Sequence, residues 1–285
     1  MPDLLPPLLF ALTAWWLGTA AVLYLNHLPR STYRWSLGFG TLIMLACLLG
    51  LALGDTDATP GGAVLAFSQA LLIWAWLEMS YFMGYVTGPR KSPCPAGCSP
   101  WTRFKLALAT SLHHELIVAA FGLALIILSW EAPNPVGAWT FLTLWLMRWS
   151  AKLNIFLGVA NVNEDWLPRH LHYLTSYIRH RPLNLLFPIS VSVSTIIATD
   201  LFLRALAAEA FLRTGYLLVA TLLALAILEH WFLVLPIRDS ALWNWALRAA
   251  GRGEAHQDRR PSPQGCDRGS TPGPRRPPAR SAARI

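Results

Sequence analysis

The sequence predicts an all-α fold: a polytopic membrane bundle of about seven transmembrane helices, N-terminus out and C-terminus in, with an amphipathic helix on the cytoplasmic surface. Composition is the first reason. The 285 residues are 54% hydrophobic and only 13% charged, about half the charge of a soluble domain, so lipid is the solvent for most of the chain. The second reason is hydropathy. Seven apolar stretches approach the roughly 20 residues needed to cross a hydrocarbon core. The third is the placement of Lys and Arg, which alternates from one connection to the next.

Taken in order, the spans fall at 4–26, 36–53, 62–83, 104–129, 136–158, 186–206 and 215–236. The first lacks a basic n-region and runs straight into further sequence, so it reads as a span and not a secretory signal. Turn chemistry separates the others: HLPRSTYR after the first, GDTDATPGG after the second, EAPNPVG after the fourth. Pro188, early in the sixth, kinks that span or marks its true start. The longest connections are 84–103 and 159–185. In the latter, Pro168 suits a first helical turn with Asp165 as its cap. Leu167, Leu171, Leu174, Tyr177 and Ile178 recur at helical spacing, which predicts a short amphipathic helix on the membrane surface. A second such helix is expected after the last span, where Trp243 and Trp245 supply interfacial anchors.

Orientation follows from the basic residues. With the N-terminus outside, inner segments carry Arg30 and Arg34; Arg90, Lys91, Arg103 and Lys105; Arg148, Lys152, Arg169, Arg179 and Arg181; then Arg238 and Arg248. Outer segments carry only Arg204 and Arg213. The membrane domain spans 1–250. Residues 251–285 form a Pro-, Gly- and Arg-rich tail with eight Arg against three acids, which accounts for five of the eight net positive charges. With almost no apolar residues it cannot fold alone, and it reads as a solvated basic extension near anionic headgroups. No folded nucleic-acid module accompanies it, so membrane lipid is the expected partner and nucleic acid is not.

The intramembrane ionisable residues gather toward one end of their helices. With the topology above, Glu78, His113, His114, Glu115, Arg148, Lys152, Glu229 and His230 occupy one level in the cytoplasmic half of the bilayer. Charge in lipid costs roughly 2.5–3.5 kcal/mol per residue even on the lenient insertion scale, so such a level marks a candidate site. His113, His114 and Glu115 lie about 100° apart in succession and cannot share a face. They read either as ligands for a metal or a pigment's central ion, or as hydrogen-bond partners of neighbouring helices. Glu229–His230 and Glu78 add donors at similar depth. A metal set of His113, Glu115, Glu229 and His230 is conceivable, yet the Glu-x-x-His pattern of di-iron bundles is missing, which favours a structural polar network.

Arg148 and Lys152, four positions apart, share a face near Asn154 and need counter-charges. Glu78, Glu115 and Glu229 are the acids available; the alternative is an anionic ligand group. In the loop, Asn161, Asn163, Glu164, Asp165, His170 and His172 crowd together, but on a helix His170 and His172 diverge by about 200°. Cys94 and Cys98 fit neither the usual redox motif nor a complete zinc site and read as free thiols. Asp200 and Arg204, one turn apart in the outer half, pair with each other. No phosphate loop, dinucleotide fingerprint, nucleophile elbow or pair of matching broken spans is visible.

The run from His113 to Thr195 (HHELIVAAFGLALIILSWEAPNPVGAWTFLTLWLMRWSAKLNIFLGVANVNEDWLPRHLHYLTSYIRHRPLNLLFPISVSVST), with MGYVTGPRKSPCP before it and LLALAILEHWFLVLP after it, resembles the PuhE-type photosynthetic complex assembly proteins of anoxygenic phototrophic bacteria. The similarity covers about residues 5–248. It implies a multi-pass protein of the bacterial inner, intracytoplasmic photosynthetic membrane. It also implies a helper in building the reaction centre and core light-harvesting complex, whose partners are those subunits or other assembly factors, with an effect on bacteriochlorophyll supply. The resemblance assigns no catalytic residue. Joined to the residues above, it suggests a cytoplasm-facing pocket for bacteriochlorophyll or a magnesium-tetrapyrrole precursor, with a His as axial ligand, a cation on a propionate, and Trp74, Trp76, Trp139, Trp145 and Trp149 against the ring. Plain bundle packing is the other reading of those tryptophans. The rival class is a membrane-bound, iron-dependent enzyme of bacteriochlorophyll biosynthesis using His113, Glu115, Glu229 and Glu78.

Overall fold

The structure is a computed structural model, and it describes residues 3–54, 56–162, 167–236, 242–243 and 245–250. Among these, seven long α-helices account for nearly all regular structure: α1 Leu5–Asn26, α2 Arg30–Leu53, α3 Pro60–Phe82, α4 Pro100–Leu128, α5 Val136–Leu157, α6 Leu186–Ala207 and α7 Ala210–Phe232. A 3-10 helix, Arg169–Tyr177, stands between α5 and α6. No strand forms among the described residues; Val159 and His180 make one isolated bridge. Six helices are long and apolar enough to cross a membrane, all except α5. α5 has the length, 22 residues, but carries Arg148, Lys152 and Asn154.

Local chemistry sets the helix ends. Thr59 Oγ1 accepts from Gly62 N at 3.0 Å and Ser99 Oγ from Thr102 N at 3.2 Å, each with proline at the next position. α4 therefore starts at Pro100, ahead of the apolar stretch that announces it, and its 29 residues reach about 43 Å. α2 also begins earlier than its apolar run, because the polar RSTYR segment after Pro29 is helical. α7 is shifted toward the N-terminus, running from Ala210 to Phe232. Asn184 Oδ1 accepts from Leu186 N and Phe187 N, at 2.9 and 3.1 Å, so α6 starts just ahead of Pro188 and the proline lies in the first turn.

Short turns set α1–α2, α2–α3, α4–α5 and α6–α7 antiparallel, and the longer connections after α3 and α5 lead into α4 and α6 at the same end. The C-terminal ends of α1, α3, α5 and α7 thus meet the N-terminal ends of α2, α4 and α6 at one end of the bundle, called the charged end below. α3 is central, packed on α1, α2, α5 and α7. Its alanines Ala63, Ala66 and Ala70 are buried and let the helices approach closely, the packing that substitutes for hydrophobic drive in lipid. One apolar cluster joins α2–α5 around Ile73, Leu77, Val118 and Phe141; another joins α1, α3, α5 and α7 around Ala11, Phe67 and Leu222.

Two surface expectations need correction. The 159–185 connection forms a 3-10 helix, not an α-helix lying on the membrane. Its apolar stripe folds inward: Leu171 and Tyr177 are buried against the bundle, because the polar charged end offers them cover. Trp243 is no interfacial anchor. It is 1% exposed, edge-on to Trp15 at 5.4 Å, and donates to the Trp16 carbonyl at 3.2 Å. Trp245, 52% exposed, does face outward, and 245–250 are helical. The Asp165 cap, Asn163, Glu164, Arg238 and the 251–285 tail lie outside the described residues.

Candidate functional site

At the charged end, three helices lock together through ion pairs. α5 presents Arg148 and Lys152 one turn apart on the face it turns to α3 and α4. Arg148 Nη2 donates to Glu78 Oε2 on α3 at 2.7 Å, and Lys152 Nζ donates to Glu115 Oε1 on α4 at 2.5 Å. Each cation also lies near an aromatic ring: Arg148 is 5.8 Å from the Phe82 centroid and Lys152 5.3 Å from that of Tyr81. The buried charges are paired, which is what a low-dielectric setting requires. Glu78 Oε1 and Arg148 Nε nonetheless remain buried without a partner.

The adjacent pairs separate as the 100° rule demands. His113 is exposed on the outer face of α4, while His114 and Glu115 are buried. The His114 ring packs on Tyr81, centroids 4.8 Å apart, and its Nδ1 is buried and unpartnered. On α7, His230 turns inward. Its Nδ1 lies 2.8 Å from the Ala226 carbonyl, so that nitrogen carries the proton, and Nε2 then accepts from Ser150 Oγ at 2.8 Å. Glu229 points the other way and accepts from Trp15 Nε1 at 3.0 Å. Among the described residues no three His, Cys, Asp or Glu side chains come together as a metal site. The proposed set of His113, Glu115, Glu229 and His230 is spread over separate faces.

Between α3, α4, α5 and the 3-10 helix lies a cavity of about 300 Å³. Glu115, Arg148 and Lys152 line its inner part, with Ser111 and Tyr81; Phe82, Phe104, Trp149 and Phe156 form aromatic walls. Leu167, Leu174, Tyr177 and Ile178 close it from the end of the bundle. Of the five tryptophans singled out in the sequence, only Trp149 lines it. Trp74 packs edge-on to Phe141, Trp139 stacks on Tyr216, Trp76 hydrogen-bonds Thr41, and Trp145 fills the space beside Gly122.

A loop after α3 holds the cap in place. Gly84 turns with φ +82, a left-handed conformation that suits glycine, and a Cβ there would meet His170 Nε2 at 2.9 Å. Gly88 lies on the α4 backbone, where a Cβ would stand 2.1 Å from the Ala109 carbonyl. Arg90 N donates to that carbonyl at 3.2 Å, and His114 N donates to the Thr87 carbonyl at 3.0 Å. Arg90 Nε donates to Tyr177 Oη at 2.6 Å, and Cys94 N to Ser176 Oγ at 2.8 Å. Burial, with Arg30 and Lys91 adding positive charge, holds the His170 imidazole below its ordinary range and so neutral. His172 is exposed and bonds the Leu167 carbonyl, so the two histidines do not converge. Cys94 and Cys98 are free thiols with Sγ atoms 3.1 Å apart.

The structure thus joins Glu78, Glu115, Arg148 and Lys152 in one site, places His114 and His230 beside it, and turns His113 and Glu229 away. Sequence reasoning missed Tyr81, Ser150 and the docking of Gly88. The glycines of MGYVTGPRKSPCP were the available signal for the last.

The chain matches, over residues 1–254, the family described as "Protein of unknown function (DUF3623)", and it belongs to that family. It is 37% identical over 249 residues to a Rhodobacter capsulatus protein called "Uncharacterized 30.4 kDa protein in puhA 5'region", covering 85% of this chain and 91% of that relative. No solved structure matches.

Proposed function

We propose, with membership of the DUF3623 family as the premise, that this protein is an assembly factor for the photosynthetic reaction centre and core light-harvesting complex. It acts from the bacterial inner photosynthetic membrane as a seven-span bundle, α5 included, with the charged end in the cytoplasm. Its cavity receives bacteriochlorophyll or a magnesium-tetrapyrrole precursor during assembly. Two things support the process: the resemblance of the membrane region to assembly proteins, and a relative named for its position 5' of puhA. The single structural observation carrying the site is that cavity, aromatic-walled and bordered by the Glu115–Lys152 and Glu78–Arg148 pairs. Mixed apolar walls with a few placed polar groups are what small-ligand sites use.

The residues fit a tetrapyrrole in part. Phe82, Phe104, Trp149 and Phe156 suit the faces of an apolar ring, and a space of about 300 Å³ holds a small ring whole or the edge of a larger one. Among the described residues no imidazole lines the cavity. His114 stands behind Tyr81, and both ring nitrogens of His230 are engaged. The ring is therefore gripped by its faces and substituents, with no axial histidine. The iron-enzyme reading needs converging ligands, which the described residues do not supply.

The test is gentle extraction from a pigment-making phototroph. Protein that carries tetrapyrrole absorbance and co-purifies reaction-centre subunits, with the pigment lost in Y81A/W149A, supports the proposal. Colourless wild-type protein without those subunits contradicts it.

A further inference from the structure

Among the described residues, Arg103 is a buried cation with no acid to match it. It lies in the first turn of α4, 6% exposed, at a helix end whose dipole is already positive. Its guanidinium sits over the Phe156 ring, 4.1 Å from the centroid, and Nη2 donates to the Phe156 carbonyl. Nε is buried and unpartnered. No carboxylate among the described residues pairs with it. The charges acting on it include Arg179 and Arg181, both positive. Backbone bonds bring that pair close: Val159 N donates to the Arg179 carbonyl at 3.3 Å, and Arg181 N to the Val159 carbonyl at 3.1 Å. Arg148 and Lys152, a few turns away, each have a carboxylate. A guanidinium buried without one is strongly destabilising.

Arg103 does not itself line the cavity, but it packs directly on one of its walls. Phe156, beneath its guanidinium, and Phe104, whose ring is 5.5 Å from that of Phe156, are both walls. The inner part of the cavity is charge-balanced, so an acid group there adds an unmatched negative charge. Beside Phe156 the balance is reversed. We infer that Arg103, with Arg179 and Arg181, binds one anionic group, a phosphate or carboxylate, of an amphipathic molecule whose apolar body lies along Phe104 and Phe156 in the cavity. The planar donor fork of arginine matches either anion. This rests on the cavity being a ligand site, as proposed above.

The experiment uses the full chain in phosphatidylcholine nanodiscs with 12-(9-anthroyloxy)stearic acid and its methyl ester as fluorescent probes. Wild type binds the acid about tenfold more tightly than the ester, the worth of one charge-assisted bond. R103M brings the acid down to the ester's affinity and leaves the ester unchanged. R179Q/R181Q, which spares the Arg103–Phe156 contact, weakens the acid about threefold and decides the matter if R103M fails to fold. Displacement of the acid by added phosphatidylglycerol identifies a lipid phosphate as the natural occupant; acid binding that phosphatidylglycerol does not displace identifies a free amphiphilic acid, and both sustain the inference. Equal affinity for acid and ester in wild type, or an acid preference undiminished in the variants, overturns the anion site while the cavity stands. If neither probe binds, this inference and the reading beneath it both fall.

Discussion

The two ends of the bundle treat polar groups in opposite ways. Away from the charged end, side-chain to side-chain bonds are local and cross-fold contacts are weaker: Asp57 Oδ1 accepts from Thr59 Oγ1 at 2.7 Å, Asn134 Oδ1 caps Val136 N at 3.3 Å while its Nδ2 donates to the Asp57 carbonyl at 2.9 Å, Arg204 reaches Asp200, one turn back, at 2.6 Å on an exposed face, and Arg213 stands 3.9 Å from Asp3. At the charged end they reach across the fold, from Arg148 to Glu78, Lys152 to Glu115 and Ser150 to His230. The first arrangement finishes helices. The second ties α3, α4, α5 and α7 together and leaves a cavity between them. Polar groups that bind across helices, in lipid, are the ones that make a site.

That contrast breaks first if the cross-helix pairs prove dispensable. Glu78→Gln leaves the half-buried Arg148 without its counter-charge and lowers stability by about 2 kcal/mol, read as a fall in thermal midpoint in nanodiscs. An unchanged midpoint puts Arg148 in contact with water. Gly88→Ala forces a methyl group into the Ala109 carbonyl and undocks the loop, by about 2 kcal/mol; faster tryptic cleavage at Arg90 and Lys91 reports it. Ser150→Ala strips His230 Nε2 of its donor for about 1 kcal/mol, whereas Ser150→Thr, which keeps the hydroxyl, recovers most of that loss.

Acid sharpens the comparison further. His170 is held neutral in the fold, so the unfolded chain binds a proton first as pH falls. The cap then loses stability below about pH 6.5 and has lost nothing above it. Amide protection factors of residues 167–178, corrected for the intrinsic pH dependence of exchange, should fall between pH 7.5 and 5.5, and His170→Leu should abolish the change. The smallest effect belongs to the opposite end: D200N/R204Q breaks an exposed pair and costs under about 1 kcal/mol.

Much of this was legible in the sequence because lipid imposes simple rules. Hydrophobic length located all seven long helices, with errors at ends where polar residues extend the helix, as after Ser99 in α4 and in the RSTYR start of α2, and a shift of α7 toward its N-terminus. Helical geometry forbade a common face for His113, His114 and Glu115, and His113 is indeed outside. Charge balance called for acids opposite Arg148 and Lys152. Which acid meets which cation depends on the rotation of α3 and α4 about their axes, a property of side-chain packing along the whole interface. The 3-10 cap was equally hidden: its apolar stripe fits a membrane surface as well as a bundle end. Trp243 misled for the same reason, since an indole anchored at an interface and one packed under α1 have the same local sequence.

The most direct test of the central claim is a double-mutant cycle across Glu115 and Lys152, measuring unfolding free energy in nanodiscs for E115Q, K152M and the combination. Paired charges facing one another predict that each single change is severe and the double change mild, with a coupling of about 2 kcal/mol or more. Strictly additive losses would show that the two side chains do not meet, and the site built on them would not exist.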